Sequence, residues 1–261
     1  MLCVLSPAKK ITVPEAPKGV TTTPPPLIEE AQALGEIAKK LSRTEIKQLM
    51  SLSDALAELT QARFAALDLK DDAKGSPAVL TFAGDVYRGL DASSLSPDDL
   101  SFAQDHLRIL SGLYGVLRPL DRMQPYRLEM GRKLKNPRGE DLYDFWGPRI
   151  AQQLNADLAR TGNKVLLNLA SNEYFKSVDK KALNAQVVSP VFKEIKDGQA
   201  RTLAVFAKPA RGMMARWIIK NRIDDVDRLK DFSVAGYRYD AQGSTPDKPL
   251  FARQQPAKKA A

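Results

Sequence analysis

The chain has 261 residues, of which 43% are hydrophobic and 27% charged, so it has enough apolar mass for a sizeable core. Its 40 Lys and Arg against 31 Asp and Glu give a net charge of +9, which favours an anionic partner or serves solubility alone. The single cysteine, Cys3, excludes an intramolecular disulfide, and with only one histidine, His106, zinc sites, iron–sulfur clusters and histidine-dependent triads are disfavoured.

The chain also lacks the signals of membrane insertion and export. No run of about 18 apolar residues is present, which predicts no transmembrane helix. The apolar stretch at the N-terminus is short and has no basic n-region, so we expect no signal peptide. The sequence therefore predicts a cytoplasmic protein without a membrane or disulfide-linked partner, and it indicates no metal and no cofactor.

The first part of the chain is predicted to contain strands, helices and one long loop. Short apolar runs indicate strands, apolar spacings of three and four residues indicate helices, and five prolines with three threonines indicate the loop. Ser42-Arg43-Thr44-Glu45 fits a capping box at a helix start. The predicted elements are a strand at 2–5, a Pro/Thr-rich arm at 14–26, a helix at 27–41, a second helix from Ser42 to about residue 59, and a strand at 78–82.

The second part begins with a strong helix start at Ser96-Pro97-Asp98-Asp99. It has an N-cap serine, a proline at the first helical position and acids in the first turn. Asp197-Gly198 between two β-rich runs predicts a hairpin. The predicted elements are a helix from Ser96 to about residue 110, a helix at 141–159 stopped by Gly162, a strand at 165–169, hairpin strands at 187–195 and 201–207, a helix at 210–222, and strands at 234–239 and 250–253.

Together these elements predict an α+β fold with a central mixed sheet surrounded by helices. Strands precede, interrupt and follow the helices, which differs from the regular alternation of βαβ units. The chain has no internal repeat and no good linker near its middle. We therefore expect a single compact domain over 1–253, with the arm at 14–26 inside it and a flexible basic tail at 254–261.

Two stretches concentrate the positive charge. Residues 108–138 hold eight basic and two acidic side chains, and residues 201–222 hold six basic and no acidic ones. Arginine suits phosphate, and interleaved aromatic residues could stack on bases, although these arginines could instead pair with acids elsewhere. The residues predicted to bind nucleic acid in a basic cleft are Arg108, Ser111, Gly112, Tyr114, Gly115, Arg118, Arg122, Tyr126, Arg127, Arg132, Lys208, Arg211 and Arg216.

The glycine hairpin at 110–115 lies within the first basic stretch. Glycines let backbone N–H groups approach a phosphate closely, and a helix starting near Gly115 would aim its positive end at the same place. The pattern is similar to a helix-hairpin-helix element, with one residue more between the glycines. A glycine C-cap followed by an ordinary turn accounts for the pattern equally well.

Polar residues that follow predicted strands are candidates for catalysis. Residues 168–176 follow the strand at 165–169, and residues 6–10 follow the strand at 2–5. Sites in α/β proteins are commonly built at the carboxyl ends of strands, although an N-cap serine with surface polar residues also explains the first segment. The candidates for acid–base or Schiff-base chemistry are Lys9, Asp85, Asp121, Glu129, Glu173, Tyr174 and Lys176.

Six motifs follow one another in unbroken order from residue 6 to residue 216. They are SPAK at 6–9, FAGDVYRGL at 82–90, LSGLYGVLRPLD at 110–121, QPYRLEM at 124–130, NLASNEYF at 168–175 and AKPARGMMAR at 207–216. These stretches resemble the signature motifs of the YaaA family of bacterial peroxide-stress proteins.

The resemblance implies a cytoplasmic protein of the hydrogen peroxide response that helps limit free intracellular iron, and thereby Fenton damage to DNA. It also implies a mixed α/β fold with a basic cleft and a helix-hairpin-helix element that binds double-stranded and branched DNA, with an indirect link to iron. One alternative is an enzyme acting on nucleobases or nucleotides through Lys9, Asp85 and Glu173. Another is direct iron sequestration, which one histidine and one cysteine disfavour.

Overall fold

The computed structural model describes residues 1–71 and 73–256. Most of the predicted tail, from residue 257 onward, lies outside this range, and Gln254 is the last residue of a strand. The strands in the described residues are β1 (Leu2–Leu5), β2 (Lys10–Ile11), β3 (Ser76–Pro77), β4 (Phe82–Ala83), β5 (Leu107–Ser111), β6 (Gly115–Leu117), β7 (Arg122–Met123), β8 (Val165–Asn168), β9 (Gln186–Val188), β10 (Val191–Lys196), β11 (Gln199–Arg201), β12 (Arg238–Thr245) and β13 (Lys248–Gln254).

The helices lie mainly between these strands. In chain order they are α1 (Ile28–Lys39), α2 (Arg43–Met50), α3 (Asp54–Ala66), α4 (Ala78–Thr81), α5 (Asp85–Leu90), α6 (Pro97–His106), α7 (Leu142–Trp146), α8 (Arg149–Arg160), α9 (Asn172–Phe175) and α10 (Ala204–Lys220). Two short 3₁₀ helices are found at Ala92–Ser94 and Val226–Asp231. In the part of the chain that the structure describes, no helix is long and apolar enough to cross a membrane.

Two sheets organise the fold. The first has the order β6-β5-β1-β8-β9, in which β5, β1, β8 and β9 run parallel and β6 is antiparallel at one edge. The second has the order β11-β10-β13-β12. Every residue of β1 is buried, as expected of a central parallel strand covered on both faces. Mixed sheets surrounded by helices confirm the predicted α+β class.

Helix α10 connects the two sheets. It packs along α5 and also contacts β1 of the first sheet and β10 of the second. Glycines allow this close approach, because a Cβ on Gly212 would clash with the carbonyl oxygen of Val86 and a Cβ on Gly89 with that of Pro209. The position of α10, which places basic side chains near the end of β1, therefore depends on these two glycines.

The local signals at two helix starts are confirmed. Ser42 caps α2 and Ser96 caps α6, each in a complete capping box. The Asp197-Gly198 turn also joins β10 to β11 as an antiparallel hairpin. These features depend on hydrogen bonds between residues within four positions of one another, which is why the sequence alone predicts them.

The structure replaces the predicted helix-hairpin-helix element with a β-hairpin. Helix α6 ends at His106 instead of near residue 110, and the next five residues form β5, paired with both β1 and β6. Gly115 has a φ of 67° and faces the Trp146 ring, where a Cβ would not fit. The hairpin glycines therefore serve packing in the core, since pairing with two neighbouring strands outweighs the local preference for helix.

Two other predicted helices break at residues with a left-handed backbone. The second helix ends at Met50, because Ser51 has a φ of 53°, and α3 then starts under its own cap, Ser53. The helix predicted at 141–159 breaks at Gly147, which has a φ of 49°, and so forms α7 and α8.

Some strand predictions are also wrong. Residues 78–81 form the short helix α4, and only Phe82 continues into a strand. The strand predicted at 187–195 divides into β9 and β10, which lie in different sheets. The strand predicted at 201–207 ends at Arg201, because α10 begins at Ala204 and buries Ala207 and Ala210. The strand predicted at 250–253 lies within β13, whereas the one predicted at 234–239 overlaps β12 only at Arg238 and Tyr239.

Candidate functional site

A cavity of about 660 Å³ lies at the carboxyl ends of β1 and β8, and we call it the first cavity. These two strands are parallel neighbours, so the loops that follow them meet at one edge of the sheet. Ser6 Oγ accepts a hydrogen bond from the Ser171 backbone N–H at 2.8 Å and donates to Ser171 Oγ at 3.2 Å. The predicted site at the ends of these strands is therefore a single, connected concavity.

The lining of the first cavity comes from five segments far apart in the chain. They are residues 6–10, 83–87, 126–129 and 171–174, with Lys208 and Arg211 of α10. Each segment overlaps one of the six motifs. The remaining motif, LSGLYGVLRPLD, forms most of the buried β5–β6 hairpin. A volume of this size is typical of small-molecule and cofactor sites.

Three buried tyrosines form the aromatic part of the lining. Tyr87, Tyr126 and Tyr174 are each less than a tenth exposed. Tyr87 donates its hydroxyl hydrogen to the Ser6 carbonyl oxygen at 3.0 Å, and the Tyr126 hydroxyl lies 2.7 Å from Ser111 Oγ. Burial raises the pKa of all three phenols, so they present neutral hydroxyls and aromatic surface at physiological pH.

The carboxylate of Glu129 is held by three cations. It lies 3.3 Å from Lys9 Nζ, 3.4 Å from Arg127 Nη2 and 3.3 Å from Arg132 Nε, and the residue is only 5% exposed. A buried carboxylate needs such partners to offset its loss of hydration. Glu129 therefore positions Lys9 at the cavity rim and has little capacity left to act as a base.

The other two acids of the lining have fewer contacts. Asp85 forms an ion pair with Arg88 at 2.7 Å on the surface. Glu173 is exposed, and its Oε1 accepts a hydrogen bond from the Gly131 N–H at 3.1 Å. Because no cation of the described residues lies within ion-pair distance of Glu173, it is the acid of this cavity best placed to accept a proton.

Several cations that face the first cavity have no acidic partner. Among the described residues that line it, five are basic and three acidic. Within residues 1–71 and 73–256, no ion pair or hydrogen bond is formed by the side chains of Lys10, Lys208 or Arg211. Burial lowers the pKa of Arg211 from its usual value, and Arg127 Nε is buried without an acceptor. The cavity is thus suited to an anion.

The structure places the predicted nucleic-acid residues in different environments. Tyr126, Arg127, Lys208 and Arg211 line the first cavity. Arg108 has no exposed surface and bonds to Asp157 at 2.7 Å. The residues of this prediction that the core buries, and that therefore present no surface to a ligand, are Arg108, Ser111, Gly112, Tyr114 and Gly115.

Three further predicted residues hold the Pro/Thr-rich arm. Asp121 is fully buried, where it accepts hydrogen bonds from Arg118 and Thr23, and burial raises its pKa. Arg118 also donates to the Pro24 carbonyl, and Arg122 donates to Thr22. Asp121, Arg118 and Arg122 thus fasten the arm to the core and lie outside the lining of the first cavity.

The remaining predicted residues also lie outside that lining. Arg132 reaches the cavity only through Glu129, and Arg216 donates to the carbonyl oxygens of Leu90 and Asp91. Lys176 lies over the Tyr143 ring at 4.5 Å. Arg138 pairs with Glu30 and Arg222 pairs with Asp99, as Arg108 does with Asp157. The alternative that arginines pair with acids elsewhere therefore holds for part of each basic stretch.

Sequence reasoning missed some residues of the first cavity. Tyr87 is one of them, although it lies within the FAGDVYRGL motif. Ser6 and Lys10 belong to the segment that directly follows β1, as Lys9 does. Their position after a strand is the feature of the sequence that could have identified them as lining residues. Asn172 lies beside Glu173 in the same polar segment. Each of them could be recognised only once the strand ends were known to be adjacent.

Comparison with known proteins agrees with the motifs. The model of a family described as "Peroxide stress protein YaaA" matches residues 1–243. The chain is also similar to a UPF0246 protein of Maricaulis maris (strain MCS10), with 53% identity over 257 residues. That alignment covers 98% of this chain and 97% of the relative, so the similarity includes every segment of the first cavity.

Proposed function

We propose, since the chain belongs to the peroxide stress protein YaaA family, that it binds DNA by taking one nucleotide unit into the first cavity. The observation that carries the proposal is Arg211, a half-buried guanidinium in the cavity wall without any acid beside it among the described residues. An arginine loses hydration on burial, and a bound phosphate restores both its charge balance and its hydrogen bonds.

The aromatic part of the cavity supports a nucleotide over a simple inorganic anion. Tyr87, Tyr126 and Tyr174 offer ring surface and neutral hydroxyls beside the cations. A base can stack on such rings or hydrogen-bond to their hydroxyls, and stacking does not depend on the identity of the base. Weak sequence preference is therefore part of the proposal, with affinity coming mainly from phosphate.

The DNA backbone would lie on the rim of the first cavity. The glycine hairpin at 110–115 is buried and makes no contact with DNA in this proposal. Lys10 and Lys208 are exposed lining residues at this rim, and Lys9 is held there by Glu129. These lysines could contact the phosphates that flank the inserted unit, in duplex or branched DNA. A nucleotide that leaves its stack costs a few kcal/mol, least at a damaged or unpaired position.

The role in peroxide stress follows the same proposal. By binding DNA in the cytoplasm, the protein would protect the DNA from oxidative damage during the hydrogen peroxide response. Within residues 1–71 and 73–256, no three His, Cys, Asp or Glu side chains form a group that could hold a metal ion. In the proposal, the chain also helps to limit free iron, and so Fenton damage, by an indirect route.

A second candidate function is catalysis on a nucleobase or nucleotide. It is favoured by Lys9, whose ammonium is held at the cavity rim by Glu129, and by Glu173, which has no cationic partner among the described residues. After its ammonium gives a proton to Glu173, the Lys9 amine could bond to C1′ of a damaged nucleotide as the C1′–base bond breaks and the base leaves with a proton; loss of the second amine proton to O4′ then opens the sugar and gives the imine. Glu173 could thus accept a proton and return it to the base.

The binding proposal is tested by fluorescence anisotropy with a labelled oligonucleotide duplex across a salt titration. We expect a log–log slope of roughly −0.9 for each phosphate contact. Arg211→Ala should weaken binding about tenfold and reduce the magnitude of the slope by about one contact. The matched control is Lys164→Ala, since Lys164 is exposed just before the amino end of β8, at the opposite edge of the sheet.

The outcome that contradicts the binding proposal is an Arg211→Ala protein, folded by circular dichroism, that binds DNA as tightly as the wild type. An affinity that stays flat across the salt titration would contradict it as well. If Lys164→Ala lowered the affinity for DNA as much as Arg211→Ala does, binding would depend on net charge alone, which also contradicts the proposal.

The catalytic candidate is tested by borohydride trapping on DNA that contains an abasic or oxidised nucleotide. Reduction of the imine should leave a covalent protein–DNA adduct in the wild type, and Lys9→Ala should lose it. Lys10→Ala is the matched control, because the neighbouring lysine lines the same cavity without contacting Glu129. Absence of any adduct removes the imine chemistry from the candidate function.

A further inference from the structure

A second cavity of about 480 Å³ adjoins the first. It lies between the two sheets, beyond Asn168 at the carboxyl end of β8 and beside Lys248 at the start of β13. The two cavities share two lining residues, Asn172 and Arg211. They are therefore neighbouring compartments, with these two side chains at their boundary.

The second cavity is also basic and partly apolar. Its lining includes the cations Lys180, Arg211 and Lys248 and a single acid, Asp247. Asp247 already accepts a hydrogen bond from the Thr245 hydroxyl at 2.8 Å. Phe175 and Phe192 supply aromatic surface to the same cavity. The composition thus repeats that of the first cavity, with cations beside aromatic rings.

The boundary between the cavities carries unused hydrogen-bond donors. Within the described ranges 1–71 and 73–256, the side chains of Asn172 and Arg211 form no hydrogen bond or ion pair. A guanidinium and an amide side by side can both donate to the oxygens of one phosphate. A phosphodiester at this boundary would leave one nucleoside in each cavity.

We infer that the two cavities together bind two consecutive nucleotides of a strand, with the linking phosphodiester on Arg211 and Asn172. The nucleoside in the second cavity lies against Phe175 and Phe192, and Lys180 with Lys248 contacts the next phosphate. This inference rests on the proposed function and extends it, because it sets the ligand of the complete site at two nucleotides instead of one.

The experiment is isothermal titration calorimetry of the full chain with two ligands, thymidine 5′-monophosphate and the 5′-phosphorylated thymidine dinucleotide. A second phosphate held by charged donors should make the dinucleotide bind about tenfold more tightly. The double variant Lys180→Ala/Lys248→Ala should remove this advantage and leave the mononucleotide affinity unchanged, since neither lysine lines the first cavity. Inorganic phosphate serves as the competitor without a base.

The matched control is Lys40→Ala/Lys164→Ala, which removes two exposed lysines that line neither cavity. It should preserve the tenfold preference. The inference is overturned if both ligands bind equally, if the Lys180/Lys248 variant weakens both alike, or if inorganic phosphate displaces the dinucleotide at equal concentration. Failure of the proposed function looks different, because then neither ligand binds, or Arg211→Ala leaves both affinities unchanged.

Discussion

Among single residues, burial and pairing separate arginines that support the fold from those that face a cavity. Arg108 and Arg211 both lie in basic stretches of the sequence. The Arg108 guanidinium is fully buried and donates to Asp157 and to the Gln104 carbonyl, so its removal would leave a buried carboxylate unpaired. Arg211 has no such partner among the described residues and faces both cavities.

Ion pairs with two basic side chains make the buried carboxylate of Asp99 a source of pH-dependent stability. Its two carboxylate oxygens accept from Lys220 and Arg222, each at 2.8 Å, and from the Ser96 N–H. The Lys220 hydrogen bond is the largest cause that holds the pKa of Asp99 well below its usual value. Since the folded pKa is depressed, the stabilisation is complete above about pH 4 and is lost as pH falls further.

We therefore expect Asp99→Asn to lower the free energy of unfolding by roughly 1–3 kcal/mol at pH 7. The asparagine can still accept the Ser96 N–H, so the main loss is the charge. Urea unfolding at pH 7 and at pH 3 measures the effect, and the difference between variant and wild type should shrink at the lower pH. A difference that is the same at both values would show that the ion pairs contribute nothing. Asp98→Asn, which changes an exposed neighbour, is the control.

Among the elements, the crossing of α5 and α10 connects packing to the candidate site. Helix α10 carries Lys208 and Arg211, and α5 begins at Asp85, so both helices contribute to the first cavity. Their approach depends on Gly89 and Gly212, where any Cβ meets a backbone carbonyl of the other helix. A carbonyl in a helix cannot move aside as a flexible side chain can.

Gly212→Ala should therefore push the two helices apart and destabilise the protein by roughly 1–3 kcal/mol, the usual range for overpacking. The midpoint of thermal unfolding measures this loss, and weaker nucleotide binding should accompany it because Arg211 moves with the helix. Gly162→Ala is a useful comparison, since Gly162 has open space around it and only its φ of 68° adds strain. A Gly212→Ala protein as stable as the wild type would show that the helices can separate without cost.

In the whole molecule, the fold gathers distant segments into one site and redistributes the charge. The positive stretches at 108–138 and 201–222 contribute to the core, to the arm and to the cavities. Part of that charge is neutralised by buried acids, as at Asp99 and Asp157. From these stretches, Arg127, Lys208 and Arg211 line the two cavities, so the net charge of +9 is a poor guide to where an anion would bind.

The sequence by itself determined the features that depend on near neighbours. The capping boxes at Ser42 and Ser96, the buried strands β1 and β8, and the turn at Asp197-Gly198 result from contacts within a few residues or from short apolar runs. The mixed α+β class also followed from the order of these elements. Five of the motifs proved to line the first cavity, although their spacing did not say that they would meet.

Only the tertiary structure decided which polar residues are buried, which are paired and which face a cavity. The glycine hairpin became a strand pair because β1 lies beside it, and that contact spans about a hundred residues of chain. Arg108 pairs with Asp157 across 49 residues of chain, and Glu129 holds Lys9 across a longer separation still. Desolvation and pairing energies depend on three-dimensional neighbours, which local patterns do not specify. For that reason the tertiary structure, and not the sequence pattern, locates the candidate site in two adjoining cavities.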